Sequence, residues 1–165
     1  MALDAAFVAD CPYGPGGLLL TSIDQVDKEA GVVLATMDVN ENLPITATQR
    51  VHPVKHPRHV SGGLMVHVTG VLGFAHAYYV LGLRHADGWI GYGARIYNAR
   101  FASLAAMDGP LKLRIEATRV RRLRDQIYAR YEFEFHQNGR LVYESDQGAM
   151  WMLVRENATE STAND

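Results

Sequence analysis

Between His59 and Gly70 the chain brings together side chains and backbone that can act on a carbonyl. Ser61, Gly62 and Gly63 open a long apolar run. A helix starting there leaves the N–H groups of Gly62 and Gly63 unsatisfied, and the helix dipole reinforces them as a carbonyl-polarising pair. Glycine lets a ligand come close to that backbone. His59 stands just before the run and His67 one to two turns inside it. Either imidazole has an intrinsic pKa suited to proton transfer near neutrality. Ser61 reads first as the N-cap and second as a hydroxyl donor. Thr69, next to Gly70, can orient a water or bond back to its own helix. Tyr13, in the breaker cluster Pro12 to Gly17, can donate a hydrogen bond or simply pack.

Other chemistries find less support. His52, His56 and His59 have ligand-like spacing, but Pro53 and Pro57 exclude a regular helix that would align them. His67, His76 and His85 recur every nine residues, so neighbours fall on opposite helix faces and about 13 Å apart. No metal is expected. There is no G-x-S-x-G elbow, no P-loop and no C-x-x-C. Four arginines crowd Arg119 to Arg124, where Arg119 and Arg121 offer guanidinium forks of the kind that hold phosphate; the same run also reads as a solvated turn.

The elements that must position these groups follow from periodicity. Gly62 to Gly82 reads as one helix, with no Asp or Glu between Val60 and Leu83. A helix apolar nearly all round is buried, in lipid or in protein. Two histidines, five glycines and the lack of other apolar spans favour protein. Gly31 to Val39 reads as a strand, joined to the apolar run Leu18 to Ile23 through a turn at Asp24 to Glu29. Four long strands follow the helix: Trp89 to Phe101, Leu111 to Arg121, Gln126 to His136 and Arg140 to Val154. In the third, Tyr131, Phe133 and Phe135 face one side while Arg130, Glu132 and Glu134 face the other. One dry sheet face and one apolar helix satisfy each other, so the sheet wraps the helix.

At 165 residues, with 48% hydrophobic and 21% charged residues, the chain fits one domain with a real core. Residues 1–154 form that domain, and 155–165 read as a disordered tail, in which Asn157 begins a glycosylation sequon. The formal net charge of −2 provides no global field for nucleic acid or an anionic membrane. Cys11 is the sole cysteine, so no internal disulfide forms, and the N-terminus lacks the basic start of a signal peptide. A cytoplasmic protein is expected.

The order strand, strand, buried helix, four strands resembles the hotdog fold, an α+β architecture. Ser61-Gly62-Gly63 looks like the His-Gly-Gly helix start of many hotdog thioesterases. Asn98 to Phe101 followed by Asp108 to Leu111 is similar to the family's bulged strand and the turn after it, and Asn138-Gly139 opens the last hairpin. The resemblance spans Tyr13 to Val154. Within the superfamily the chain looks most like the FcoT-type long-chain acyl-CoA thioesterases. Cys11 to Gly14 is similar to that group's Pro-Tyr segment, whose tyrosine is a proposed site residue, and His59-Val60-Ser61 stands where the group has His-Phe-Asn. The chain departs from the group at Ser61 and Gly70, where the group has asparagines, and in lacking a second site tyrosine between Leu43 and Ser61.

The resemblance implies acyl thioesters of CoA or of acyl carrier protein as substrates. No cofactor is implied beyond the CoA or phosphopantetheine that the substrate carries, and Arg119 and Arg121 would meet its phosphates. Hotdog thioesterases take their base from an Asp or Glu on or near the helix. This helix has neither, leaving His59 or His67, with Tyr13 and Ser61 as accessory donors and Gly62, Gly63, Thr69 and Gly70 against the substrate. A 3-hydroxyacyl dehydratase is the second reading, since His56-Pro57 faintly matches that branch's loop, and a non-catalytic acyl-binding protein is the third. The resemblance also implies a homodimer or a higher oligomer built from dimers.

Overall fold

A computed structural model describes residues 2–155. Helix α1 (Ala5–Asp10) and the single turn α2 (Pro15–Leu18) precede strands β1 (Ser22–Asp27) and β2 (Val32–Met37). The long helix α3 (Gly62–His76) follows, and then β3 (Trp89–Phe101), β4 (Leu111–Leu123), β5 (Gln126–Gln137) and β6 (Arg140–Leu153). The six strands form one antiparallel sheet in the order β1-β2-β4-β5-β6-β3.

Ser61 starts α3 as expected: its Oγ accepts from the Leu64 N–H at 3.2 Å. The helix is not uniform to Gly82. It widens into a π-helical turn at Ala77–Leu81, which Gly82 ends at φ 70°. The stretch Gly62–Leu81 is long and apolar enough to cross a membrane. Here Leu64, Val68, Val71, Leu72 and Ala75 bury one flank of it among Ile115, Ile127, Tyr131 and Phe135 on the concave face of the sheet. The alternation of β5 holds throughout: Ile127, Ala129, Tyr131, Phe133 and Phe135 are all buried.

One boundary differs from the sequence expectation. Asp24 lies inside β1, not in the connecting turn. Its carboxylate accepts from the Ser22 and Thr36 hydroxyls, each at 2.6 Å, so an acidic residue is satisfied on the outer surface of a strand. The turn comes later, where Asp27 Oδ1 accepts from the Glu29 and Ala30 N–H groups and Gly31 takes φ 68°. At the other end, Arg155 pairs with Asp125 at 3.0 Å. The rest of the expected tail, with the Asn157 sequon, lies outside the described residues.

His76 is fully buried on α3. Its Nε2–H donates to the Gly31 carbonyl at 3.1 Å, its Nδ1 has no partner, and its ring meets the Tyr131 ring edge-on at 5.0 Å. Burial lowers its pKa to about 4. The folded state therefore holds the neutral imidazole, while the unfolded chain protonates near pH 6.5. Stability is complete above that value and is lost as pH falls toward 4, by about 3 kcal/mol. Urea denaturation of His76→Gln should lack this component of the fall between pH 7 and pH 4.5; an unchanged pH dependence would refute the assignment.

Candidate active site

The sheet does not cover α3 on every side. Gly63 and Gly70 are exposed, and His67 and Phe74 are half-buried. Their spacing of four, three and four places them on one helical stripe. Two crevices open along it; Tyr13 lines one and touches His67, which lines the other. The ring of Tyr13, 38% exposed, meets the His67 ring edge-on at 4.8 Å and the Phe74 ring at 6.0 Å.

The first crevice, about 320 Å³, lies over the helix start between Gly16, Gly17, Pro44, Ile45, Gly63 and His67. Pro15 begins the short α2 turn, which carries Gly17 against the Tyr13 ring. The Gly17 carbonyl then accepts a hydrogen bond from His67 Nε2–H at 2.7 Å. This contact fixes the tautomer, so Nδ1 is the nitrogen able to take a proton. The two helix-start glycines differ. A Cβ on Gly62 would stand 2.8 Å from the Phe101 ring, whereas Gly63 faces open space. Phe101 covers Gly62, and Gly63 is the residue that opens into the crevice.

The second crevice, about 230 Å³, runs between the stripe and the sheet, from Tyr13, Thr69, Gly70 and Phe74 to Tyr131, Gln147 and Trp151. Glycines on the edge strand shape it, since a Cβ on Gly91 would fall 2.1 Å from the Trp151 ring. The Thr69 hydroxyl donates to the Val66 carbonyl at 2.7 Å, bonding back to its own helix. Its Oγ accepts from Gln147 Nε2 at 3.0 Å, and the same amide nitrogen donates to Ser145 Oγ at 2.9 Å.

The predicted residues thus divide. Tyr13, Gly63, His67, Thr69 and Gly70 share the stripe and its crevices. Gly62 and Ser61 serve the helix start beneath them. His59 lines neither crevice: its Nδ1–H donates to the Pro57 carbonyl at 2.8 Å, its ring packs against His56, and Gln49 clamps its backbone at both N–H and C=O. Arg119 and Arg121 are exposed near the β4–β5 hairpin, paired in register with Arg130 and Tyr128, and also line neither crevice. Among the described residues no three His, Cys, Asp or Glu gather as for a metal ion.

Sequence reasoning missed Gln147, Tyr131 and Trp151 as site residues. Two signals pointed there. Ser145 and Gln147 interrupt the apolar phase of β6, and Gly91 and Gly93 sit inside β3, where glycine marks a close approach.

No protein-family model matches the chain, and neither does any of the curated proteins. Solved structures do match. A thioesterase from Haemophilus influenzae superposes with a TM-score of 0.59 at 16% identity, covering 91% of this chain and 91% of that one. A mutant thioesterase from Pseudomonas aeruginosa gives 0.60 at 15% identity, with 90% and 92% covered. A phenylacetic acid degradation-related protein from Ralstonia eutropha gives 0.56 at 23% identity, with 78% and 83% covered. The fold these structures share with this chain is the hotdog fold, one antiparallel sheet around one long helix.

The contrast between the two glycines is testable. Gly62→Ala must push aside the Phe101 ring, whose 53% exposure leaves it room to turn, so stability should fall by no more than about 1 kcal/mol. Gly63→Ala should fold with nearly unchanged stability while narrowing the first crevice. Thermal melting of the two variants checks the difference, and equal losses would contradict the geometry.

Proposed function

We propose that the chain is an acyl-thioester hydrolase of the hotdog type, acting on fatty acyl groups carried by CoA or by acyl carrier protein in the cytoplasm. One observation carries this reading: Gly63 and His67, four residues apart on one helix face, open into the same crevice, and the His67 ring touches Tyr13, which lines a second crevice walled by aromatic rings. The fold shared with the two thioesterases supports it.

In this reading the thioester oxygen accepts from the Gly63 N–H at the positive end of α3. His67 Nδ1 takes a proton from water as the water oxygen attacks the carbonyl carbon. Negative charge gathers on the carbonyl oxygen beside the helix start. The C–S bond then breaks, and the imidazolium returns its proton to the departing thiolate. The Gly17 carbonyl keeps the His67 ring in the tautomer this requires. The acyl tail passes Tyr13 into the second crevice. His59 lines neither crevice, so the role of base is assigned to His67. Arg119 and Arg121 can meet the phosphates of CoA only at a distance from the crevices of the same chain.

Thiol release from a panel of acyl-CoAs should be measured in the wild type and in His67→Ala. We expect turnover that falls by at least about 100-fold in the variant, with substrate binding retained. Binding of acyl-CoA without thiol release by the wild type would replace hydrolysis with acyl carriage, and hydration of a 2-enoyl-CoA would replace it with the dehydratase reaction.

We also propose that the chain is a homodimer paired through β3. That strand is long, has β6 on one side only, and exposes Tyr92, Ile96 and Phe101. The opposite edge, β1, is short and carries Ser22, Asp24 and Asp27, which blunt it. Sedimentation should give a dimer mass for the wild type and a monomer for Ile96→Lys. A monomeric wild type would overturn the pairing.

A further inference from the structure

Among the described residues, four other than glycine take positive φ: Leu19, Ile45, Arg124 and Asn138. Arg124 and Asn138 sit in the tight turns that join β4 to β5 and β5 to β6, where the hairpin itself favours that conformation. The other two, Leu19 and Ile45, both line the first crevice, together with Gly63 and His67. Leu19 ends the α2 turn in the left-handed region and packs in part against the core, so the fold accounts for it. Ile45 has no such account. It is β-branched, a kind of side chain poorly suited to positive φ, and at 53% exposed it gains little from packing.

The backbone at Ile45 is held in place from both sides. The Thr46 N–H donates to the Pro44 carbonyl at 2.7 Å, which closes a three-residue turn around Ile45 at φ 67° and ψ −43°, the rare and strained form of the γ-turn. The Ile45 carbonyl accepts from the Thr48 N–H at 3.1 Å and from the Thr48 hydroxyl at 2.7 Å. Leu43 and Thr46 are buried on either side, and the Arg58 guanidinium donates to the Thr46 carbonyl at 3.2 Å. Strained backbone of this kind persists where its surroundings over-determine it, and it gathers at ligand clamps. Glycine would take the turn without strain. Isoleucine instead leaves an apolar side chain half in water beside a crevice, a cost to the free protein that contact with a ligand offsets.

We propose that Ile45 is a ligand-binding residue of the first crevice, held by its strained turn to cover the apolar carbons beside the thioester of a bound acyl chain. The identity of that ligand rests on the hydrolase reading, which seats the thioester carbonyl at Gly63 in the same crevice. Leu19, Pro44 and Leu64 line this crevice with Ile45, and among the described residues that line it only His67 is ionisable. The wall is therefore suited to hydrocarbon, with one polar side chain left for the chemistry.

The test uses the His67→Ala variant of the full chain as parent, so that binding is read without turnover. Calorimetry with dodecanoyl-CoA compares this parent with the same chain carrying Ile45→Gly or Ile45→Val. Ile45→Gly should weaken binding about tenfold, the loss of a half-exposed apolar side chain that a ligand finishes burying. It should nevertheless melt no lower than the parent, because the strain leaves with the side chain. Ile45→Val keeps the branched apolar group and should stay within about fourfold of the parent. Unchanged binding in Ile45→Gly, or a lower melting temperature, overturns the assignment and leaves hydrolysis standing. Sedimentation of Ile45→Gly should match the wild type; a change of mass would give the side chain to a second copy of the chain and overturn the assignment too. Absence of dodecanoyl-CoA binding by the parent refutes the ligand contact outright. Failure of the wild type to release thiol refutes hydrolysis alone, because the calorimetric comparison does not depend on turnover.

Discussion

A helix with apolar residues on every side has to be enclosed, and the sheet can enclose only part of it. The remainder of this structure is a response to that constraint. The sheet takes the flank carrying Leu64, Val68, Val71, Leu72 and Ala75. The N-terminal segment crosses the far end of the helix as a strap. Phe7 is buried with its ring 5.4 Å from Tyr78 and 5.3 Å from Tyr79, and the Asp10 carboxylate accepts from the His85 and Ala86 N–H groups at 2.9 and 2.8 Å. A strap pinned there delivers Tyr13 to the stripe Gly63, His67, Gly70 and Phe74. The crevices are the space left between strap, stripe and sheet, so the site is set by how incompletely the helix is wrapped.

The architecture was legible in the sequence because it rests on periodicity. The central helix, β2 and the four long strands each keep one pattern over many residues, and all appear close to the expected bounds. The first strand was harder to read. Ser22-Ile23-Asp24-Gln25 resembles a turn by composition, and beside the local Ser22 hydroxyl it is the cross-strand hydroxyl of Thr36 and the amine of Lys112 that make Asp24 comfortable on a strand. Such partners are distant in sequence and leave no local signal. The short helices α1 and α2 went unread: α2 lies among the breakers Pro12 to Gly17, and α1, six residues long, is held by Phe7 against Tyr78 and Tyr79 more than by its own propensity.

The site was legible in proportion to how much of it lies on one helix. Ser61, Gly63 and His67 could be related by spacing alone. Gly70 came through the resemblance, which also drew Tyr13 to the site, and the sheet's contribution of Tyr131, Gln147 and Trp151 was missed. Strand residues meet a helix across distances in sequence that no spacing rule covers. His59 shows the reverse: close to the helix start in sequence, it lines neither crevice, its Nδ1–H donating to the Pro57 carbonyl and its ring packing on His56.

The glycine at position 70 changes what kind of group the stripe can offer. With no side chain there, the polar function is supplied from the sheet by Gln147, whose amide nitrogen is spent on Thr69 and Ser145. That commitment orients the amide, leaving Oε1 as an acceptor, since the Thr69 hydroxyl proton goes to the Val66 carbonyl. The wall beside Gly70 therefore presents a neutral acceptor rather than a carboxylate. An amide oxygen orients a donor but cannot remove a proton at neutral pH, so among the crevice residues proton transfer is left to His67. In the proposed reading, base and carbonyl-polarising donor sit together at the helix start, with neutral polar groups further along. A neutral wall also spares the crevice the cost of burying an unpaired charge.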